Sequence, residues 1–273
     1  MILVTGSTGK IGSELVAELT RLGTRFRVGS RKPAGGGAVL FDFDRPETFG
    51  PGLAGVQKLF LLTSGGTDRE IAAVEAARKA GVRRLVKLSV WGADEDAFVI
   101  GRAHRAVERE IERSGIAWTF LRPNGFMQNF TTYKAAAIRD RGVIADSTGD
   151  SRWSIVDARD VGAVAARVLT QDGHESHAYR LSGPEALSQP EMAQRISEAI
   201  GKPVSYVDLP DAEYRKIQID HGVPAAYADA LVDLNVYYRS GAGAPVTPDV
   251  ERILGRRPGS FDDFVRANAA VWK

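Results

Sequence analysis

The 273-residue chain has no cysteine. Disulfides, thiolate nucleophiles and cysteine-held metals are therefore excluded. No apolar run reaches the length of about 18 residues that a membrane-spanning helix needs, so no contact with a membrane is expected. The net charge of +2 is too small to suggest nucleic acid, and no lysine/arginine block with interleaved aromatics appears. The opening "MILVTG" has no basic segment before it and no cleavage site after it; it reads as a strand rather than a signal peptide, and a cytoplasmic location is expected. No serine sits in a nucleophile elbow, which argues against hydrolysis. Histidine is scarce, with 4 in the chain. His174-x-x-His177 has a metal-like spacing, but it sits in the loop-like "QDGHESHAY" with no acid-rich helix to support it, so no metal is expected.

What is present is ordinary for a folded protein: 44% apolar and 26% charged residues. The first half alternates strands with helices. "MILVTG", "RFRVGSR", "AVLFDFD", "VQKLFLLTS", "RRLVKLSV" and "AWTFLRP" read as strands. "KIGSELVAELTRLG", closed by Gly23, "TDREIAAVEAARKAG" and a segment running from about Ile100 to Ser114 read as helices. Such alternation predicts parallel strands with right-handed crossovers. After about residue 125 the rhythm changes. "RWSIVDARDVGAVAARVLT" gives a strand and a helix, "AYRLSG" a strand, "SQPEMAQRISEAIG" a helix capped by Ser188, and "VSYVDL" a strand. The tail from 211 to 273 reads as helical and polar, broken by "SGAGAPVTP". In "VDARD", Asp160 reads as a helix cap rather than an acid catalyst. The expected fold is α/β: a Rossmann-like doubly wound parallel sheet with helices on both faces and a smaller, interleaved C-terminal α/β lobe. The nucleotide-binding domain is expected over 1–150, with elements around 151–183 returning to it, and a substrate-binding lobe over 184–273.

The first strand runs into Gly6-x-x-Gly9-x-x-Gly12 and then a helix. Gly6 permits the tight turn, Gly9 lets the backbone approach a pyrophosphate, and Gly12 allows close helix–strand packing. Thr8, Lys10 and Ile11 are counted with these glycines as cofactor contacts, as are Thr63 and Ser64 after the fourth strand and Pro123 at the end of the sixth. An NAD-selective protein usually ends its second strand with an acid for the ribose. From Thr20 to Phe41 this chain has none. Arg31 and Lys32 stand there instead, and arginine suits a 2′-phosphate. NADP(H) is therefore expected in preference to NAD(H). Asp42 and Phe43 are candidates for the adenine side.

The glycine spacing resembles the extended and atypical branches of the short-chain dehydrogenase/reductase superfamily. "TGSTGKIG", "SVWGAD", the "HRAVE" of residues 104–108, "SGIAWTFLRPNGFMQNF" and "VDARDVGAVAARVL" together resemble the NmrA-like atypical group. Within it the chain is most similar to type 2 quinone oxidoreductases and triphenylmethane reductases. It departs from the quinone reductases at "RPNGF", where those often have Arg-Asn-Gly. Most short-chain reductases carry Tyr-x-x-x-Lys on the helix after the fifth strand. Here those positions hold Ile100 and His104, and Ser89 matches the family serine. The resemblance implies an NAD(P)H-dependent oxidoreductase, and a homodimer is compatible with it.

Reducing an isolated ketone makes a basic alkoxide and calls for a positioned acid. Reducing a quinone, a quinone methide or an extended cation makes a delocalised or neutral product that solvent can protonate. The missing dyad therefore points to a conjugated aromatic or quinone acceptor. The acceptor is expected at the carboxyl ends of the strands. Asn124 and Gln128 are candidates to bind a carbonyl. Phe126, Met127, Phe130 and Tyr133 either form an aromatic-lined wall or belong to the core. Trp91 and Phe98 are placed on a loop able to close over the acceptor. His104, Asn124 and Ser89 are the catalytic candidates, and His104 is equally readable as a packed core histidine. Two other functions remain open: a non-catalytic NAD(P)-sensing regulator, and a short-chain fold doing non-redox tailoring chemistry.

Overall fold

The computed structural model describes residues 1–35, 37–63 and 66–273. β1 (Ile2–Val4), β2 (Phe26–Ser30), β3 (Ala38–Leu40), β4 (Lys58–Leu61), β5 (Arg84–Leu88), β6 (Ala117–Pro123) and β9 (His177–Leu181) form one sheet in the order 3-2-1-4-5-6-9. Every pairing in it is parallel. The strand order reverses at β1, and the crevice beyond the carboxyl ends of the strands at such a point is where open α/β sheets bind ligands.

The central strands are mostly apolar because both faces are covered. Alternate side chains feed two clusters. Ile2, Val4, Phe60, Val86 and Leu121 meet α1 (Lys10–Arg21) and α6 (Ala158–Thr170) on one face. Leu3, Leu59, Leu61, Leu85 and Phe120 lie on the other, with α2 (Phe49–Leu53), α3 (Thr67–Lys79) and α4 (Val99–Arg113). α1 presents Ile11, Leu15 and Leu19 to the sheet and ends at Leu22, with Gly23 in the left-handed region after it. The expected doubly wound α/β architecture is present.

A third cluster builds a smaller lobe. Met127, Phe130, Ile138, Ile144, Met192, Ile196, Phe261, Phe264 and Trp272 pack together. They come from the loop after β6, α5 (Ala135–Arg141), β7 (Val143–Asp146), α7 (Gln189–Ile200), α11 (Phe261–Asn268) and the residues after it. β7 pairs in parallel with β11 (Ser205–Asp208), and β8 (Arg152–Trp153) pairs antiparallel with β10 (Leu187–Ser188). α7 starts with a reciprocal capping box between Ser188 and Glu191. The tail is less polar in structure than in sequence: α8 (Asp211–Asp220), α9 (Ala225–Arg239) and α10 (Asp249–Leu254) precede α11, and Tyr237, Val250, Phe261 and Trp272 along it are buried.

Two sequence expectations are corrected here. The cap of α6 is Asp157, whose side chain accepts from the Arg159 amide. Asp160 instead sits in the first turn, where it pairs with Arg256 and accepts from the Gly259 amide. Trp91 and Phe98 are packed inward rather than open to an acceptor. Both are buried, Phe98 stacks on Tyr237 with ring centroids 4.5 Å apart, and Trp91 Nε1 donates to the Ala242 carbonyl at 2.9 Å. They fasten the loop after β5 to α9 and to the turn that follows it.

Truncating Phe98 leaves a cavity between that loop and α9. Phe98→Ala is expected to lower the unfolding free energy by about 3–5 kcal/mol, read as a lower urea midpoint.

Candidate functional site

The glycine loop is built as a phosphate cradle. Gly6 has φ +65, and the Gly9 amide closes a turn on its carbonyl at 3.0 Å. A Cβ on Gly12 would lie 2.0 Å from the Gly6 oxygen, so only glycine lets α1 start this close to the loop. Thr8 and Gly9 are exposed, whereas Ile11 is buried in the core. The first turn of α1 has no side-chain cap and no acid. Its amides and the positive end of its dipole are left for an anion. These features fit a dinucleotide pyrophosphate.

Arg31 and Lys32 follow β2 directly and are exposed. Asp42 and Phe43 lie just beyond the end of β3, half-buried; Phe43 packs edge-on against Phe41 and Phe49, and the Asp42 carboxylate accepts the Asp44 amide at 3.0 Å. Thr63 follows β4, half-buried, and Ser64 lies outside the described residues. Pro123 is buried, and its carbonyl accepts the Trp91 amide at 2.9 Å.

α4 carries the position of interest on its inner stripe, where Val107 and Ile111 are buried and His104 is half-buried. The His104 Nδ1 is fully enclosed and has no hydrogen-bond partner among the described residues. Burial, with the Lys87 cation adding to it, pushes the His104 pKa down to about 3. The imidazole is therefore neutral at physiological pH. Lys87 is itself fully buried on β5 and held by Glu70 of α3 at 2.5 Å. Ser89 donates to the buried Glu108 at 2.7 Å. Glu108 also receives Nε and Nη2 of Arg122 at 3.0 and 2.7 Å. Burial opposes the charge of Arg122, but its hydrogen bonds to Glu108 and the nearby Asp94 hold its pKa above the usual value.

The loop after β6 does not present all the expected groups. Asn124 is buried, donates to Ser154 and the Gly243 carbonyl, and accepts from the Gly125 amide and the Tyr238 hydroxyl. Gln128 is held between the Asp157 carboxylate and the Ala158 amide. Both amides are used internally, which corrects their expected place on an acceptor carbonyl. Phe126 packs against the first core cluster, and Phe130 is buried edge-on against Phe261. Only Tyr133 of the expected wall is open, at 82% exposure, with the Lys10 ammonium 4.0 Å from its ring centroid. Lys10 Nζ also donates to Asn129 Oδ1 at 3.0 Å.

Sequence reasoning missed Lys87, Glu70, Asn129 and Tyr227. Lysine and glutamate inside regular elements read as solvent-facing, and nothing local marks Asn129. Tyr227, on α9, is 54% exposed, and its hydroxyl pKa is raised by burial and further by the Tyr133 phenol.

A model of the NmrA-like family matches residues 1–253. An NAD(P)H azoreductase of Xenophilus azovorans is 37% identical, over 100% of this chain and 99% of that protein. A (4-alkanoyl-5-oxo-2,5-dihydrofuran-3-yl)methyl phosphate reductase of Streptomyces griseus is also 37% identical, with the same coverage. Among solved structures, the NADPH-dependent quinone oxidoreductase of Escherichia coli in complex with NADPH superposes with a TM-score of 0.89 at 26% identity, over 98% of this chain and 99% of that one.

Two measurements test this geometry. Glu108→Ala leaves Arg122 buried beside an empty site and is expected to cost about 3–5 kcal/mol of stability, measured by denaturant unfolding. The folded pKa of His104 lies below its ordinary value of 6.5, so the unfolded chain binds a proton there first. Its contribution is present above that value and is lost as pH falls toward about 3. His104→Gln is expected to show a shallower fall of Tm between roughly pH 7 and pH 5, the upper part of that window; an unchanged slope would show that His104 titrates normally in the folded protein.

Proposed function

The chain belongs to the NmrA-like family and is an NAD(P)H-dependent oxidoreductase, and on that premise we propose that it reduces a quinone or similarly conjugated acceptor with NADPH as the preferred donor. The observation that carries the proposal is the state of His104. It stands where the lysine of the usual dyad would be, with Ile100 in place of the tyrosine, and it is held neutral. No cationic acid is set at this position, so the product must be one that needs little help with its proton. Two relatives support the acceptor class. The Escherichia coli neighbour is named for quinones, and the Streptomyces relative is named for a dihydrofuranone with an alkanoyl group, a conjugated carbonyl system.

When bound, NADPH supplies the hydride. The residues of the chain hold and orient it. The amides at the start of α1 take the pyrophosphate, and Arg31 and Lys32 take the 2′-phosphate. Asp42 and Phe43 border the adenine side. The enclosed Nδ1 of His104 leaves the other ring nitrogen to meet the nicotinamide ribose or the acceptor by a neutral hydrogen bond. The acceptor lies at the carboxyl ends of the strands, between the glycine loop and the loop after β6, where position and exclusion of water do most of the work.

The test mixes the protein with NADPH or NADH and a panel of quinones, azo compounds and cationic dyes, following nicotinamide absorbance. Turnover is expected with NADPH ahead of NADH. His104→Ala is expected to slow it by about tenfold, the loss of one hydrogen bond, without abolishing it. Tight cofactor binding with no turnover of any acceptor would sink the proposal. Faster turnover with NADH would reverse the reading of Arg31 and Lys32.

A further inference from the structure

Taking the acceptor position from the function proposed above, we propose that the preferred acceptor carries a negative charge on its ring system, as an aryl sulfonate, a carboxylate or a phosphate ester, with the anion on the Lys10 ammonium and the ring system against the open part of the Tyr133 ring. Among the described residues Lys87 faces Glu70, Arg122 faces Glu108 and Lys134 faces Asp146, while the half-buried Lys58, at the start of β4, donates to the Leu169 carbonyl. Lys10 is half-buried too, but stands at the glycine loop. Its contacts are an amide oxygen, Asn129 Oδ1 at 3.0 Å, and the face of the Tyr133 ring. Burial alone lowers its pKa to about 8, with no carboxylate acting to restore it. A cation that has lost part of its water and gained no counter-charge is a place where an incoming anion gains most.

Position selects the kind of anion. Lys10 is the first residue of α1, beside the cofactor cradle, yet its Nζ is turned across the site to the loop after β6. Tyr133 is 82% exposed, with Lys10 over one face of its ring, so the rest of the ring is open to a planar partner. An open aromatic ring beside an ammonium that has no carboxylate partner among the described residues suits a flat, anionic molecule. The same ammonium could serve the pyrophosphate of the cofactor, and the experiment separates the two anions.

The experiment measures binding rather than turnover. Protein loaded with NADP⁺ is titrated by calorimetry with naphthalene-2-sulfonate and with the uncharged naphthalene-2-sulfonamide. The sulfonate is expected to bind the tighter of the two. Lys10→Met should weaken sulfonate binding by about tenfold, as expected for losing one charged hydrogen bond, and the sulfonamide less. Lys10→Arg should retain the preference. Tyr133→Leu should weaken both probes. Equal binding of the two probes to the wild type, or an equal loss of both in Lys10→Met, would overturn the proposal. So would a loss confined to NADP⁺ affinity in Lys10→Met, which would give the ammonium to the pyrophosphate. Because the probes are not reducible, a protein that turns over no acceptor yet keeps this selectivity fails the reductase reading alone. One that reduces quinones but ignores the sulfonate fails this proposal alone.

Discussion

Glu108 receives a hydrogen bond from Ser89 just after β5, two from Arg122 near the end of β6 and one from Arg105 on its own helix. A carboxylate with no exposed surface is tolerable only when so fully satisfied. Such a cluster adds little net stability over apolar packing, but it is unforgiving of displacement. It fixes α4 against two strands in one register, and His104 lies one turn before it on the same helix. The position of His104 along the sheet therefore depends on a cluster of buried charges one turn away. The network continues outward: Arg122 pairs with Asp94, Asp94 with Arg180, Arg180 with Glu95, and Glu95 accepts from Tyr237 on α9. The sheet, the loop after β5 and the helix of the lobe are joined by one chain of ionic contacts.

The two halves of the site differ in what makes them. The cofactor side is local. Its cradle is a run of seven residues, Gly6 to Gly12, between a strand and a helix that pack directly on each other. The acceptor side, as proposed, is assembled from distance: Tyr133 and Asn129 follow β6, and Lys10 reaches across to them from α1. A site made this way can change its acceptor by altering a few loop residues while the cradle stays as it is.

That difference decides what could be read in advance. The glycine spacing, the largely apolar strands, the α1 stripe and the helix cap at Ser188 are short-range patterns with short-range causes, and each appears in the structure. Trp91, Phe98, Asn124 and Gln128 resisted because their partners lie far along the chain. Trp91 meets Ala242, Phe98 meets Tyr237, and Asn124 meets Tyr238 and Gly243. Nothing within a window around residue 124 shows that its amide is already taken. Lys87 was hidden for the opposite reason. A lysine in a strand suggests an edge or a surface, and only the pairing of β5 between β4 and β6 shows that it must be internal.

One bond gives this arrangement an order in time. The Trp272 indole donates to the Phe130 carbonyl at 2.9 Å, across 142 positions of sequence. The cradle and the central strands can form while the chain is still being made, as domains do when the earlier residues leave the ribosome first. The loop that carries Asn129 and Tyr133 gets this brace only when residue 272 emerges. During synthesis the glycine loop and the strands beside it can therefore take shape well before the segment around Phe130 is tied down.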